Sequence, residues 1–247
     1  CQAAKEVEMT FFRKMQVYTR VPRAMQRMKG GKIIGVRWVD VNKGGSETPD
    51  YRSRLVGQEF KTSKNDELYA STPPLEALRY VLSSAATWAE DNVQRHVMVN
   101  DVRRAYFYAK THRDIYVELP AEDYEAVGDQ IGKLNLSLYG TRDAASNWQE
   151  HLSRHLLSIG FRRGVGHPSV FHHPERKIIT LVHGDDYVSS GLAVDLDWLE
   201  GELSKAYEIK TQRLGLGGKC KKEGKVLNRI IRATNDGWEI EADPRHS

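Results

Sequence analysis

Cysteine is scarce in this chain, with Cys1 and Cys220 the only two in 247 residues. Two thiols cannot by themselves make a zinc site, and their contexts suggest no disulfide framework. No apolar run approaches the roughly 20 residues that a membrane-spanning helix needs. No secretory pattern opens the sequence, and internal repeats and low-complexity tracts are lacking. Nor is charge of one sign in large excess: 37 Lys and Arg stand against 33 Asp and Glu, a net charge of +4. That balance is compatible with nucleic acid without arguing for it. These absences exclude disulfide scaffolds, helical membrane proteins and repeat arrays, and an intracellular, reducing setting is expected. The first residue is Cys rather than Met, so a piece of a longer polypeptide or an incomplete gene model is expected.

What is present is a globular composition, 40% hydrophobic and 28% charged, long enough for one large domain or a domain with subdomains. The most informative stretch is 177–190. The β-branched run 178–182 predicts a buried strand, Gly184, Asp185 and Asp186 follow, and 187–189 predicts a returning strand. That is a hairpin with two acids at its tip. Gly and Asp are common turn residues, so a plain turn is one reading. The other starts from repulsion: adjacent carboxylates demand a cation, and hard, oxygen-ligated ions such as Mg²⁺ suit them. A third acid, Asp101, ends the strand predicted at 95–102, on the face of Val97 and Val99. Burying it unpaired would be costly, so an open strand end or a positive partner is expected. Three carboxylates could hold two Mg²⁺ ions, a device for in-line attack at phosphorus. Polymerase, nuclease and ordinary turn all remain open on this pattern.

The rest of the chain is mostly scaffold. Residues 1–31, with Arg20, Arg23, Arg27 and Lys29, are expected to be a basic linker segment. Residues 32–41 predict one strand, 42–45 a turn, and 51–56 its partner; Arg52 and Arg54 then share a face, for solubility or for bidentate grip on phosphates. Thr72 is a candidate cap, with Pro73 and Pro74 in the first turn of a helix whose stripe is Leu75, Leu78, Leu82, Ala85 and Ala89. Residues 103–108 are basic and aromatic, suited to a nucleotide or to packing. A short strand is expected at 115–120. Trp148, Leu152, Leu156 and Ile159 mark a helix stopped by Gly160, and Leu196, Leu199, Leu203 and Ala206 mark another. Residues 225–231 and 238–241 flank Asn235-Asp236-Gly237, a hairpin signal. His172 and His173 read as a solvated turn, residues 215–218 as a phosphate loop only superficially, and Lys219, Lys221, Lys222 and Lys225 as a solvated run. The class is α+β.

Several of these blocks, taken together and in order, resemble the reverse transcriptase of Copia-type LTR retrotransposons. They are residues 33–39, 51–56, 100–107, 115–120, 136–140 and the Asp185-Asp186 hairpin, and the resemblance covers about 30–245. It implies a right-hand polymerase with fingers at about 32–84 and 113–147. Its palm, an antiparallel sheet packed on helices, would lie at about 85–112 and 148–247. No thumb follows in this sequence, nor an RNase H domain, and weaker grip on the duplex backbone is expected. By resemblance, Asp101, Asp185 and Asp186 are catalytic, and with Val102 they are the metal-binding positions for two Mg²⁺ (or Mn²⁺) ions. Tyr106 would lie under the incoming sugar and exclude a 2′-hydroxyl. Arg52, Arg54 and Asp143 fall among the dNTP-side positions, and Leu227, Asn228 and Arg229 in a hairpin that supports the primer end. The implied partners are an RNA or DNA template with its primer, dNTP and other parts of a Pol polyprotein, in a cytoplasmic particle or the nucleus, with no membrane.

Three departures from the family pattern stand out. His183-Gly184 precedes the paired aspartates where the family has Tyr-Val. Residues 141–145 read Thr-Arg-Asp-Ala-Ala in place of Leu-Lys-Gln-Ala-Pro, which sets Asp143 where a Gln near the nucleotide is usual. That charge opposes a triphosphate unless Arg142 or another cation offsets it. Gln58 stands where a fingers Lys is frequent. None removes a metal ligand. An inactive or repurposed remnant that at most binds nucleic acid therefore stands as the alternative reading, and a different two-metal phosphotransferase or nuclease as a third.

Overall fold

A computed structural model describes residues 1–45, 47–60, 73–87 and 94–241; Thr72 and Ala89, expected as a cap and a stripe residue, lie outside them. The chain divides into two compact units. One comprises Cys1–Ala70 and Tyr106–His151, the other Ser71–Ala105 and Leu152–Ser247.

In the first unit, residues 1–31 are folded and not the linker that the sequence suggested. They form α1 (Gln2–Met15), β1 (Tyr18–Pro22) and α2 (Arg23–Lys29). α1 buries Met9 and Phe12, three apart and so on one face. β1 pairs antiparallel with β7 (Gln130–Leu134). The basic residues are anchored: Arg20 bonds Asp123 at 2.6 Å, and Arg23 forks onto Glu118 at 2.7 and 2.8 Å. A mixed charged stretch without a period concealed this, because its partners lie about a hundred residues away.

The strand expected at 32–41 splits at Gly35. β2 (Lys32–Ile34) runs parallel to β6 (Ile115–Val117), while β3 (Val36–Asn42) forms a hairpin with β4 (Tyr51–Gly57). The larger sheet has the order β1-β7-β6-β2. On β4, Ser53 and Leu55 are buried while Arg52 is exposed and Arg54 half-buried, the alternation that a one-sided strand imposes. Met9, Phe12, Val17, Leu55, Phe107 and Leu138 form the core. Phe107, part of the aromatic cluster at 103–108, is thus packing.

The second unit is built on a six-stranded antiparallel sheet of order β12-β5-β11-β10-β9-β8. Its strands are β5 (His96–Val102), β8 (Arg162–Arg163), β9 (Val170–His173), β10 (Ile178–His183), β11 (Asp186–Gly191) and β12 (Ile209–Leu214). α3 (Leu75–Ala86) lays Leu78, Val81, Leu82 and Ala85 against Val97, Leu181 and Val188. Its N-cap position is Pro74, so the prolines precede the helix and do not sit in its first turn. α3 belongs with this sheet, although the family division put residues up to 84 with the fingers. α4 (Ala144–Ser158) begins in the first unit and ends in the second; it buries Trp148, Leu152 and Leu156, and Gly160 follows at φ 96°. α5 (Ala193–Ala206) buries Leu196, Leu199 and Leu203, but Ala206 is exposed.

His172 and His173 are not in a solvated turn. They end β9, where His173 is buried with its ring centroid 5.2 Å from Phe161 and 5.1 Å from Trp198. A separate meander, β13 (Glu223–Val226), β14 (Arg229–Thr234) and β15 (Gly237–Ile240), closes the described chain.

Candidate active site

The β10–β11 hairpin fixes the acids in two different ways. His183 is opposite Asp186, so only Gly184 and Asp185 form the loop. Gly184 has φ 60°, a left-handed conformation that Gly adopts without penalty. Asp185 is therefore at the tip, whereas Asp186 is the first residue of β11. β11 is hydrogen-bonded to β5 in a register that sets Asp186 opposite Asp101. The Val102 N–H donates to the Asp185 carbonyl at 2.9 Å, tying the tip to the end of β5. Val102 is otherwise fully buried, and its side chain carries no donor atom. On the other side of β5, Lys210 of β12 is opposite Asp101.

Like charges directly opposite across a sheet repel. Burial first, then the charges of Asp185 and Asp101, push the Asp186 carboxyl up to about 6. A cluster held this way favours any species that brings positive charge.

Asp185 and Asp186 open onto a cleft of about 490 Å³, lined also by His183, Gly184, Lys225, Leu227 and Asn228; Asp101 is not among its lining residues. Leu227 and Asn228 form the loop between β13 and β14, with Val226 opposite Arg229. Their φ values of 47° and 63° give a two-residue hairpin turn with both residues left-handed. The sequence predicts one strand through 225–231, because Leu-Asn lacks the Asn-Gly signature of such turns. Arg229 lines an adjoining groove of about 220 Å³ with Pro73, Pro74, Leu75, Leu78, His183 and Leu227. Two of the three positions expected to touch a primer thus border the acids, and the third lies beside them.

Four other expected positions lie in the first unit. The Arg54 guanidinium sits over the Tyr139 ring, 4.9 Å from its centroid. The Tyr139 ring in turn lies 4.4 Å from that of Tyr106. Arg52 is on the exposed side of β4. Asp143 is buried and engaged: Arg113 donates to one carboxylate oxygen at 2.6 Å and Asn147 to the other at 3.1 Å. Arg113 also forks onto Glu59 at 3.0 and 2.9 Å. Burial alone would raise the Asp143 carboxyl, but Arg113 overrides it and holds it below the ordinary carboxylate range. The cation that offsets Asp143 is therefore Arg113. Sequence reasoning missed Arg113 because no local pattern links it to a residue 30 positions on. The only available signal was that an acid near a triphosphate needs a counter-charge.

Among the described residues, no group of three or more His, Cys, Asp or Glu is arranged to hold a metal ion, so the acids are not a closed cage. Their chemistry nonetheless fits a hard divalent cation: the donors are carboxylate oxygens, and the burial and like charges that raise Asp186 to about 6 are a cost that a cation would relieve. Among the described residues, no helix is long and apolar enough to cross a membrane.

The second unit is thus an antiparallel sheet backed by helices, with Asp101 and Asp186 paired across two of its central strands, and sequence comparison identifies the family. The chain belongs to the family "Reverse transcriptase (RNA-dependent DNA polymerase)", whose model matches residues 17–215. Its similar relatives are Pol polyproteins of Copia-type elements, as residues 33–39, 51–56 and 100–107 suggested. It is 28% identical over 193 residues to the retrovirus-related Pol polyprotein from transposon TNT 1-94 of Nicotiana tabacum, covering 74% of this chain and 14% of that protein. To the Pol polyprotein from transposon RE1 of Arabidopsis thaliana it is 27% identical over 169 residues, 64% of this chain and 11% of the relative. The chain thus spans a small part of these relatives. Among solved structures, apo telomerase from Candida tropicalis, truncated from the C-terminal domain, matches with a TM-score of 0.49 at 9% identity. That match covers 96% of this chain and 60% of the telomerase.

Proposed function

We propose that this chain is an RNA-directed DNA polymerase domain that joins a dNTP to a primer 3′-hydroxyl. The observation that carries the reading is the register of β5 and β11, which sets Asp186 opposite Asp101 beside the Asp185 turn. In the reaction the 3′-hydroxyl loses its proton to solvent as its oxygen attacks the α-phosphorus, the bond to the bridging oxygen breaks, and pyrophosphate leaves. Asp101, Asp185 and Asp186, with the main chain of Val102, would hold two Mg²⁺ ions or Mn²⁺ in their place. Bound there, divalent cations supply the positive charge that in-line displacement at phosphorus needs.

The chain's own residues account for the rest. The Val102 N–H fixes the peptide of Asp185, so that its carboxylate is presented from a two-residue turn and not from a free loop. Leu227, Asn228 and Arg229 would support the primer end beside the acids. We assign Arg52 and Arg54 to the triphosphate and Tyr106 to the deoxyribose, where a 2′-hydroxyl would clash. Asp143 faces Arg113, which supports placing it behind the nucleotide side as a supporting residue. On this reading the first unit is the fingers and the second the palm. The partners are an RNA or DNA template with its primer, dNTP, and the remainder of a Pol polyprotein.

Primer extension on an RNA template with dNTPs and Mg²⁺ or Mn²⁺ tests the proposal, beside an Asp185→Asn control. Extension that disappears in the control is expected. No extension by folded protein, alone or lengthened toward its polyprotein, would move the reading to a remnant that at most binds nucleic acid.

A further inference from the structure

Within the first unit, the charged cluster Glu59–Arg113–Asp143 does more than neutralise itself. Glu59 and Asp143 have almost wholly buried side chains, 2% and 4% exposed, on either side of Arg113. Glu59 also accepts the Arg142 N–H at 2.9 Å. Asn147 bridges Asp143 to the Ser137 hydroxyl at 3.1 and 3.0 Å. These bonds tie the 142–143 end of the segment to Glu59, just past β4, and brace its Ser137 end through Asn147. Between them the Gly57 N–H donates to the Tyr139 carbonyl at 2.7 Å. Gly140, at φ 86°, comes so close to the Gly57 carbonyl that a Cβ would be 2.1 Å from it. Tyr139 is the residue that this docking fixes, and its ring contacts both the Tyr106 ring and the Arg54 guanidinium.

We infer that Arg113, Glu59 and Asp143 form a clamp that positions the Tyr139–Tyr106 ledge, and that they thereby set how strictly the nucleotide site rejects a ribose. They are positioning residues, acting through Tyr139. The specificity part rests on the assignment of Tyr106 to the sugar, whereas the clamp itself rests on contacts within one unit. Buried, bidentate and charge-assisted bonds have defined geometry, so a clamp of this kind fixes a position where apolar packing alone would tolerate slippage.

The test has two arms, run on wild type, Asp143→Asn and Asp143→Glu at a temperature where melting curves show all three folded. The first is hydrogen–deuterium exchange of the peptide carrying Gly57. Exchange there should rise about five-fold or more in Asp143→Asn and return toward wild type in Asp143→Glu, with the β5 peptide unchanged. The second is the ratio of dNTP to rNTP incorporation, expected to fall about five-fold or more in Asp143→Asn while Asp143→Glu retains it. Unchanged exchange at Gly57 overturns the clamp, whatever the activity. Raised exchange with an unchanged sugar ratio overturns its role in specificity. If wild type incorporates neither nucleotide, the polymerase reading and the specificity role fall together, and the exchange arm alone decides the clamp.

Discussion

Asp101 and Asp186 stand directly opposite each other on neighbouring antiparallel strands, an arrangement that costs stability when both are ionised. Sheets ordinarily avoid it. The Asp186 carboxyl, raised to about 6, takes up a proton more readily in the folded chain than in the unfolded one. Its contribution to stability is therefore full below about pH 4 and is lost as pH rises through about 6. Asp186→Asn is expected to melt higher than wild type at pH 8, by the equivalent of about 1–2 kcal/mol. The gain should shrink as pH is lowered toward 4. Paired melting curves at the two pH values decide it, and equal melting temperatures at pH 8 would remove the electrostatic account.

The clamp in the first unit should behave in the opposite sense. Burial raises Glu59 and Asp143, yet Arg113 holds both below the ordinary carboxylate range. The stability they bring is present above about pH 4 and is lost as pH falls through their depressed values. Arg113→Leu leaves two buried carboxylates without their cation and is expected to cost about 3 kcal/mol at pH 7, toward the low end for a broken buried pair because Arg113 is partly exposed. That deficit should narrow near pH 3.5 as the acids take up protons. A deficit independent of pH in denaturant titrations would show that Arg113 acts by packing alone.

The division between what could and could not be read from the sequence follows the range of each interaction. Strand and helix stripes were legible because their signal is local: Leu78, Leu82 and Ala85 on α3, and Leu196, Leu199 and Leu203 on α5, recur at helical spacing and are buried. The acids were legible by chemistry, since Asp101 continues a strand of core valines and Asp185-Asp186 closes an apolar hairpin. Their register was not, because pairing β5 with β11 joins residues 85 apart in the chain, as Asp101 and Asp186 are. β7 and β12 are short and carry Lys, Gly or Gln, so neither announces itself without its neighbours. Residues 1–31 looked like a linker because the acids that hold Arg20 and Arg23 lie at 118–129. The Leu227–Asn228 turn was not legible because left-handed Leu is unusual, and the register that brackets it pairs Val226 with Arg229.

That turn supplies a further expectation. A β-branched residue is poorly tolerated at positive φ, and Asn228 has φ 63°. Asn228→Val is expected to destabilise by about 1–2 kcal/mol, whereas Asn228→Gly should be near neutral or stabilising. Because Asn228 lines the acid cleft, the Gly variant also separates turn geometry from side-chain contact. If the side chain touches primer, Asn228→Gly weakens primer–template binding without lowering the melting temperature. A valine variant as stable as wild type would contradict the turn.

Gly140 is the sharpest steric test of the fold around Tyr139. It combines a φ of 86° with a Cβ position 2.1 Å from the Gly57 carbonyl oxygen, and that neighbour is backbone, which cannot swing aside. Gly140→Ala is expected to cost more than about 3 kcal/mol or to prevent folding. Gly128, with φ 62° but nothing near its Cβ position, is the control, and Gly128→Ala should cost about 1 kcal/mol. Similar losses at the two sites would show that strain, and not the approach of β4, dominates at Gly140.

Lys225 gives the last expectation, one that bears on nucleic acid directly. It is exposed on β13, next to the buried Val226, and it lines the cleft with Asp185 and Asp186. The carboxylates repel a phosphate backbone, so a primer end brought to them needs positive charge nearby, and Lys225 is the cationic side chain lining that cleft. If it pairs with one backbone phosphate, Lys225→Ala removes one released counterion. The slope of log affinity against log salt should then shrink by about 0.9 for duplex, with little change in sequence preference. Lys205, held by Glu202 at 2.6 Å on α5, is the comparison, and Lys205→Ala should leave the slope where it was. Anisotropy titrations of a labelled primer–template over a range of salt measure both. Equal slopes in wild type and Lys225→Ala would show that the cleft lysine makes no contact with the primer backbone.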